Sequence, residues 1–181
     1  MEKENIPVHY TIRAAVLLTA AFLFTLALLP AATGFAQATD EKSIECQKEI
    51  AKTIVHGTAL GLGEILRDVK GEKKRIALAR KFVSPVRFYA DNTGYFYVYK
   101  YNCVNVAHAI QKELQGKNLY KHKDAKGKYV IRELSDTAKT GGGFVDFYWL
   151  KPGAKGEQKK VGYVEPIPGT DYFIGTGVYL P

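Results

Sequence analysis

Two periodicities divide the chain. Between residues 41 and 69, Ile50, Ile54, Leu62, Ile65, Leu66 and Val69 recur at three- and four-residue steps, with Lys, Glu and Asp on the other positions. That spacing puts the apolar side chains on one face of a helix and predicts a single helix over 41–69. Asp40 is its expected N-cap, with Ser43 an alternative start. At ~1.5 Å per residue it would run about 43 Å, longer than the expected thickness of the domain, so it must lie across something. Gly57, Gly61 and Gly63 weaken its middle by ~1 kcal/mol each relative to alanine, a cost expected where another backbone approaches closely. Gly71 breaks the pattern, and residues 72–82 resume as a second short helix before Ser84-Pro85.

From residue 94 the period changes to two. In GYFYVYKY, Tyr95, Tyr97, Tyr99 and Tyr101 alternate with Phe96, Val98 and Lys100, so one face of a strand would carry only phenols. A turn at 91–94 leads into this strand, Asn102-Cys103 turns a tight hairpin, and 104–108 returns as its partner. Residues 111–128 are polar, with turns at 116–118 and 124–127. A short extended piece at 129–131 and a short helix at 133–139 follow, stopped by Gly141-Gly142-Gly143. Further strands are predicted at 144–149, 160–167 and 172–179, with 152–159 a hairpin loop and Pro168-Gly169 a turn. Short turns between successive strands, with the helices segregated ahead of them, make the fold α+β. The expected architecture is a five-stranded antiparallel sheet with the long helix packed on one face.

Composition adds compartment and partner. With 181 residues and 46% hydrophobic content the chain can bury one core. Residues 14–29 stand apart: an uncharged apolar run behind Arg13, followed by Pro30 and AATGFAQA. This is the layout of a secretory signal peptide, and cleavage after Ala36 or Ala38 would suit; an uncleaved anchor is the alternative. The expected division is 1–38 leader, 39–85 helices and 86–181 sheet domain. The protein is then periplasmic or secreted, or held at the inner membrane if the leader stays. Losing residues 1–38 removes Lys3 and Arg13 together with Glu2 and Glu4, so the net charge stays at +8. A basic exported domain favours anionic partners, although solubilising surface charge explains most of the lysines equally well. No basic run has the pattern of a nucleic-acid site. Cys46 and Cys103 form no C-x-x-C pair, which leaves metal, haem and thiol-exchange chemistry unsupported, and the element order argues against an internal bridge. The four histidines show no metal spacing and no nucleophile sits in a recognisable elbow. No enzyme, metal or cofactor is expected.

Several pieces then fall in a recognisable order. Arg87 precedes Asp91-Asn92-Thr93-Gly94-Tyr95-Phe96-Tyr97-Val98-Tyr99. His108, Gly116-Lys117-Asn118-Leu119, Asp124 and Gly127 follow. Then come Gly141-Gly142-Gly143-Phe144, Tyr148-Trp149-Leu150-Lys151-Pro152, Lys160-Val161-Gly162-Tyr163-Val164 and Ile174-Gly175-Thr176-Gly177-Val178-Tyr179. From about Val86 onward this resembles the single Cache domain (sCache type 2), the PAS-like extracytoplasmic sensor module of bacterial chemoreceptors and histidine kinases. It departs from the family at Ala109, where proline is usual, at Asn102-Cys103 in place of Asp-Gly, and at Tyr97 in place of Phe. It also shows no second span, coiled-coil linker or kinase region after the domain. The expectation is a sensor module without an output domain, acting through a membrane receptor or histidine kinase.

The resemblance implies a small ligand held between the sheet and the loop-rich segment covering it, and a ligand class of small organic acids such as acetate, propionate, pyruvate or lactate. A buried carboxylate must be matched by cationic or N–H donors, each charge-assisted bond being worth ~1.5–3 kcal/mol. It offers Arg87, Lys151 and Lys160 as those cations and His108 at the cavity mouth. Tyr95, Tyr97, Tyr99, Trp149 and Tyr163 complete the candidate wall, supplying ring area and hydroxyls. Plainer roles stand beside these. Arg87 could tie down Asp91 or Asp146, Lys160 could be a solvated neighbour of Lys159, and Trp149 could be core. Tyr101, near the strand tip, reads as structural. Gly141–Gly143 and Gly175-Thr176-Gly177 read as strand-entry glycines and places where helix and sheet backbones approach. The competing function is a structural or interaction protein whose scaffold has no working pocket. A homodimer through the long helix is open in either case.

Overall fold

The computed structural model describes residues 29–181. The chain divides into two units at residue 43, and the packing described below is that of residues 44–181. The leader segment 1–28 and its cleavage lie outside the described residues. Among those that are described, no helix is long and apolar enough to cross a membrane.

Helix α1 (Leu29–Arg67) is followed by α2 (Glu72–Val83), then β1 (Tyr97–Lys100) and β2 (Asn105–His108). After a 3-10 turn at Lys112–Leu114 come α3 (Val130–Lys139), β3 (Gly143–Leu150), β4 (Glu157–Pro166) and β5 (Tyr172–Tyr179). The strands form one antiparallel sheet in the order β2-β1-β5-β4-β3, so the last strand lies at the centre, between the tyrosine strand and β4. The α+β sheet with a long helix on one face is the architecture expected.

Several boundaries differ. Strand β1 covers only Tyr97–Lys100, so Tyr95 and Tyr101 flank it. The helix is continuous through Asp40 and Ser43, so neither residue caps it. Val130 and Ile131 open α3 instead of forming an extended piece. Strand β4 starts at Glu157, extending its pairing with β3 through three residues of the expected loop.

The faces of the sheet have separate cores. On the α1 side, Ala51, Val55, Ala59, Leu62 and Leu66 pack with Ala79 and Val83 of α2 against Phe96, Val98, Tyr163, Tyr172 and Ile174. Leu62 and Leu66 of the predicted stripe are buried and Ile54 packs partly buried against this core, but Ala51, Val55 and Ala59 complete the buried face, and Ile50 and Ile65 are 41% and 46% exposed. Small residues let the helix sit close to the sheet. At Gly63 the helix meets the turn between β4 and β5, and a Cβ there would stand 3.0 Å from the Pro168 carbonyl oxygen. Gly57 and Gly61 have no neighbour within 4 Å at the Cβ position among the described residues, which do not make the close approach expected there. A polar bridge joins β4 to α1: Glu165 accepts the Tyr163 hydroxyl at 2.8 Å and meets His56 Nδ1 at 3.0 Å. Cys46 is exposed and Cys103 buried, and neither is bridged.

The opposite face is covered by α3 and the segment ahead of it. Val130, Ile131, Leu134 and Ala138 of α3 pack over Tyr95, Tyr97, Tyr99, Val145, Phe147, Trp149 and Phe173.

Candidate functional site

The period-two backbone brings the tyrosines of β1, Lys160 of β4 and Phe147 and Trp149 of β3 to the α3 side. Glycines on the central strands make this arrangement possible. A Cβ on Gly175 would stand 2.6 Å from the Tyr97 ring and one on Gly162 3.0 Å from its hydroxyl. A Cβ on Gly177 would stand 2.8 Å from Lys160 Cε. The Tyr97 ring and the lysine stem thus lie flat on a floor of bare backbone, which a methyl group would lift. Gly175 and Gly177 are parts of this floor rather than contacts with a helix.

Lys160 is the unusual residue. It is 1% exposed and has no carboxylate within 4 Å among the described residues. Its ammonium lies 4.1 Å from the Tyr95 ring centre, 4.5 Å from that of Tyr179 and 5.8 Å from that of Tyr97. Its one hydrogen bond among the described residues, to the Tyr179 hydroxyl, is long at 3.5 Å. Ring quadrupoles offset part of the lost hydration, but burial still pulls the pKa down to about 7. The solvated-pair reading is excluded by that burial.

His108 stands beside it, 1% exposed. Its Nδ1 accepts the N–H groups of Ile110 at 3.3 Å and Gln111 at 2.9 Å. The network therefore assigns the ring proton to Nε2, which makes no hydrogen bond among the described residues. Burial, then the charges of Lys160 and Arg87, push the pKa down to about 3. The imidazole is neutral at physiological pH and offers one N–H donor. Tyr99 adds a buried hydroxyl that makes no close hydrogen bond among the described residues, with the Asn105 side chain near enough to act on it. Burial holds the Tyr95, Tyr97 and Tyr99 phenols protonated, well above their usual titration range.

Other wall groups are already committed. The Tyr97 hydroxyl donates to the Thr176 carbonyl at 3.2 Å. Tyr179 donates to the Leu150 carbonyl at 2.6 Å, which leaves Tyr95 as donor in the 3.0 Å contact between the two hydroxyls. Trp149 Nε1 donates to Gln111 Oε1 at 2.7 Å.

The cavity among these groups is lined by Tyr97, Tyr99, His108, Trp149 and Lys160, together with Val130, Ile131, Leu134 and Phe147. Its volume is about 10 Å³, room for one water molecule. It is nearly filled by its own side chains, and a carboxylic acid enters only if some of them move. Val130 and Ile131 are the first residues of α3, so the positively polarised end of that helix lies at the wall.

The remaining candidates lie elsewhere. Arg87 spends its guanidinium on three backbone carbonyls, those of Ser84 at 3.1 Å, Val86 at 2.6 Å and Ala109 at 2.9 Å, and pairs with neither Asp91 nor Asp146. Lys151 is at the surface, 34% exposed and 3.9 Å from Asp91. Tyr163 points to the opposite face, in the α1 core. Tyr95 lies under the lysine but is not among the cavity-lining residues.

Sequence reasoning passed over the α3 residues, Phe147 and Tyr179. Phe147 was within reach, since Val145, Phe147 and Trp149 alternate as Tyr95, Tyr97 and Tyr99 do. Among the described residues no group of three or more His, Cys, Asp and Glu side chains is placed to hold a metal ion.

The family model described as "Cache domain" matches residues 41–181. The sensor histidine kinase MctS of Rhizobium johnstonii is 39% identical over 87 residues, which are 48% of this chain and 19% of that kinase. The chain thus spans about a fifth of that relative. Among solved structures, a methyl-accepting chemotaxis protein from Vibrio parahaemolyticus superposes with a TM-score of 0.67 at 32% identity, over 78% of this chain and 94% of that one. A Cache chemosensory domain solved to show the structural basis of carboxylic acid recognition also gives 0.67, at 26% identity, over 78% of this chain and 98% of that one.

Proposed function

Because this chain belongs to the Cache domain family, a family of sensor domains found in chemoreceptors and histidine kinases, we propose that its ring-walled cavity binds one small monocarboxylate of the acetate, propionate, pyruvate or lactate type. The observation that carries this reading is Lys160, an ammonium removed from water with no acid beside it among the described residues. An unpaired buried charge is costly, and an anionic ligand is what neutralises it. The Nε2–H of His108 supplies one more unused donor at the same wall, and the Tyr99 hydroxyl a second, which an incoming carboxylate draws away from the neighbouring Asn105 side chain. Two or three charge-assisted bonds with modest apolar contact account for micromolar affinity, which needs about 8 kcal/mol. The neighbour whose structure describes carboxylic acid recognition supports the same class.

Arg87 acts in this reading by position, holding the Ala109 carbonyl next to His108. Lys151, at the surface beside Asp91, and Tyr163, in the α1 core, take no part in it. The protein is an exported sensor module, and its bound state is read by a membrane receptor or histidine kinase. A ligand shifts such a module only by binding one of its states better than the other.

The second reading, an interaction scaffold, has its own observation. Ile50, Leu60 and Ile65 are 41%, 50% and 46% exposed on α1, and Gly57 and Gly61 leave open space there. A second copy of the chain fits such a face. Thermal unfolding against a panel of the four acids separates the readings. A melting temperature that rises as RT ln(1 + [L]/Kd) supports the sensor. A flat response to all four, with a dimer in sedimentation, supports the scaffold.

A further inference from the structure

We propose that the ligand site continues past Trp149 into a second chamber, so that the protein takes monocarboxylates with a chain longer than propionate and a hydroxyl at the far end. This rests on the carboxylate reading above and extends it. The first cavity has room for one water molecule, so a ligand must gain space from a neighbouring hollow. Such a hollow lies beside it, about 60 Å³ in volume and lined by Gln111, Leu114, Leu119, His122, Trp149, Leu150 and Glu157. By the same measure it accommodates several water-sized groups.

Trp149 borders both spaces. Its ring is stacked toward His108 of the first, with centres 6.4 Å apart, and meets His122 of the second edge-on at 5.1 Å. It is held there by the Nε1 bond to Gln111, whose own N–H is fixed on His108 Nδ1. Moving one indole joins the chambers. Leu114, Leu119 and Leu150 suit the methylenes of a chain. His122 Nε2 is buried without a partner among the described residues, and a terminal hydroxyl, which both donates and accepts, satisfies it in either tautomer. Glu157, bonded through its carboxylate to the Ala125 N–H at 2.7 Å, sets the tail's charge. A second carboxylate there would face a like charge, so dicarboxylates are excluded.

Titration calorimetry of propionate, pentanoate, the terminally hydroxylated pentanoate and pentanedioate tests this. The intact protein should bind pentanoate about tenfold more tightly than propionate, as two further buried methylenes imply. The hydroxylated acid should bind more tightly still, and pentanedioate not detectably. Leu119→Phe or Leu114→Phe, which fill the chamber, should remove the pentanoate advantage and leave propionate unchanged. His122→Leu should remove only the advantage of the hydroxyl. Pentanoate binding more weakly than propionate, or both Phe variants weakening the two acids alike, overturns the second chamber while leaving the first site standing. Failure of propionate itself overturns both.

Discussion

The two faces of one sheet follow opposite rules. Against α1, aliphatic side chains and alanines close ranks, and the chief polar feature is a rim bridge from Glu165 to His56. Against α3, rings surround an ammonium, and the buried hydroxyl of Tyr99 makes no close hydrogen bond among the described residues. The first face leaves one buried hydroxyl, that of Tyr172, without a hydrogen bond among the described residues; the second leaves an ammonium and a hydroxyl waiting at one wall. Stability and recognition are therefore divided between faces of the same strands, and a substitution should damage one without the other.

The largest effect is expected on the closed face. Leu66→Ala removes a fully buried side chain and should lower unfolding stability by about 2–5 kcal/mol. Acid affinity of the molecules that remain folded should be unchanged, and a matching fall in affinity would erase the division. Next comes Lys160→Met, which keeps the volume and removes the charge. It should weaken propionate binding by about a hundredfold, as loss of a charge-assisted bond and its ion pairing implies. It should also raise the melting point of the empty protein, because a buried unpaired charge is gone. Loss of binding with no gain in stability would mean that the rings already neutralise the ammonium.

pH gives the third comparison. Lys160 releases its proton near pH 7 in the folded protein and near 10.5 when unfolded, so the unfolded chain holds more protons between those values. Stability of the empty protein should rise with pH across that window, by at most about 1.4 kcal/mol per unit. His108, at about 3 when folded and 6.5 when unfolded, adds a similar rise in acid, between pH 3 and 6.5. Affinity should run the other way above pH 7, weakening about tenfold per unit as the cation is lost. Melting curves and titrations on one buffer series check both signs. The smallest effect belongs to His56→Ala, which breaks a contact whose His side is 62% exposed. It should cost less than about 1 kcal/mol and leave affinity alone.

Much of the fold was legible because alternation and helical spacing fix which face a residue takes. Tyr97 and Tyr99 reach the cavity for the reason visible in GYFYVYKY, and Trp149 shares the phase of Val145. The phase of α1 was legible only in part: Leu62 and Leu66 are buried where the spacing puts them, Ile50 and Ile65 are not. Ile50 and Ile65 make as good a stripe as Ala51, Val55 and Ala59, and only contact with the sheet decides in favour of the smaller residues. Arg87 illustrates the other limit. Nothing local shows that three carbonyls converge on it from Ser84, Val86 and Ala109, because one of them is brought there by the hairpin. The sequence offers Lys160 both as a ligand cation and as half of a solvated pair, and its burial follows from strand phase together with the cover that α3 supplies.

The bare backbone at Gly162, Gly175 and Gly177 has a consequence of its own. The height of the ceiling above the sheet is set by atoms these positions lack, more than by the rings that decorate it. A chain that kept all its phenols and its lysine but carried alanine at those three places would have them standing upright, with no hollow left to share.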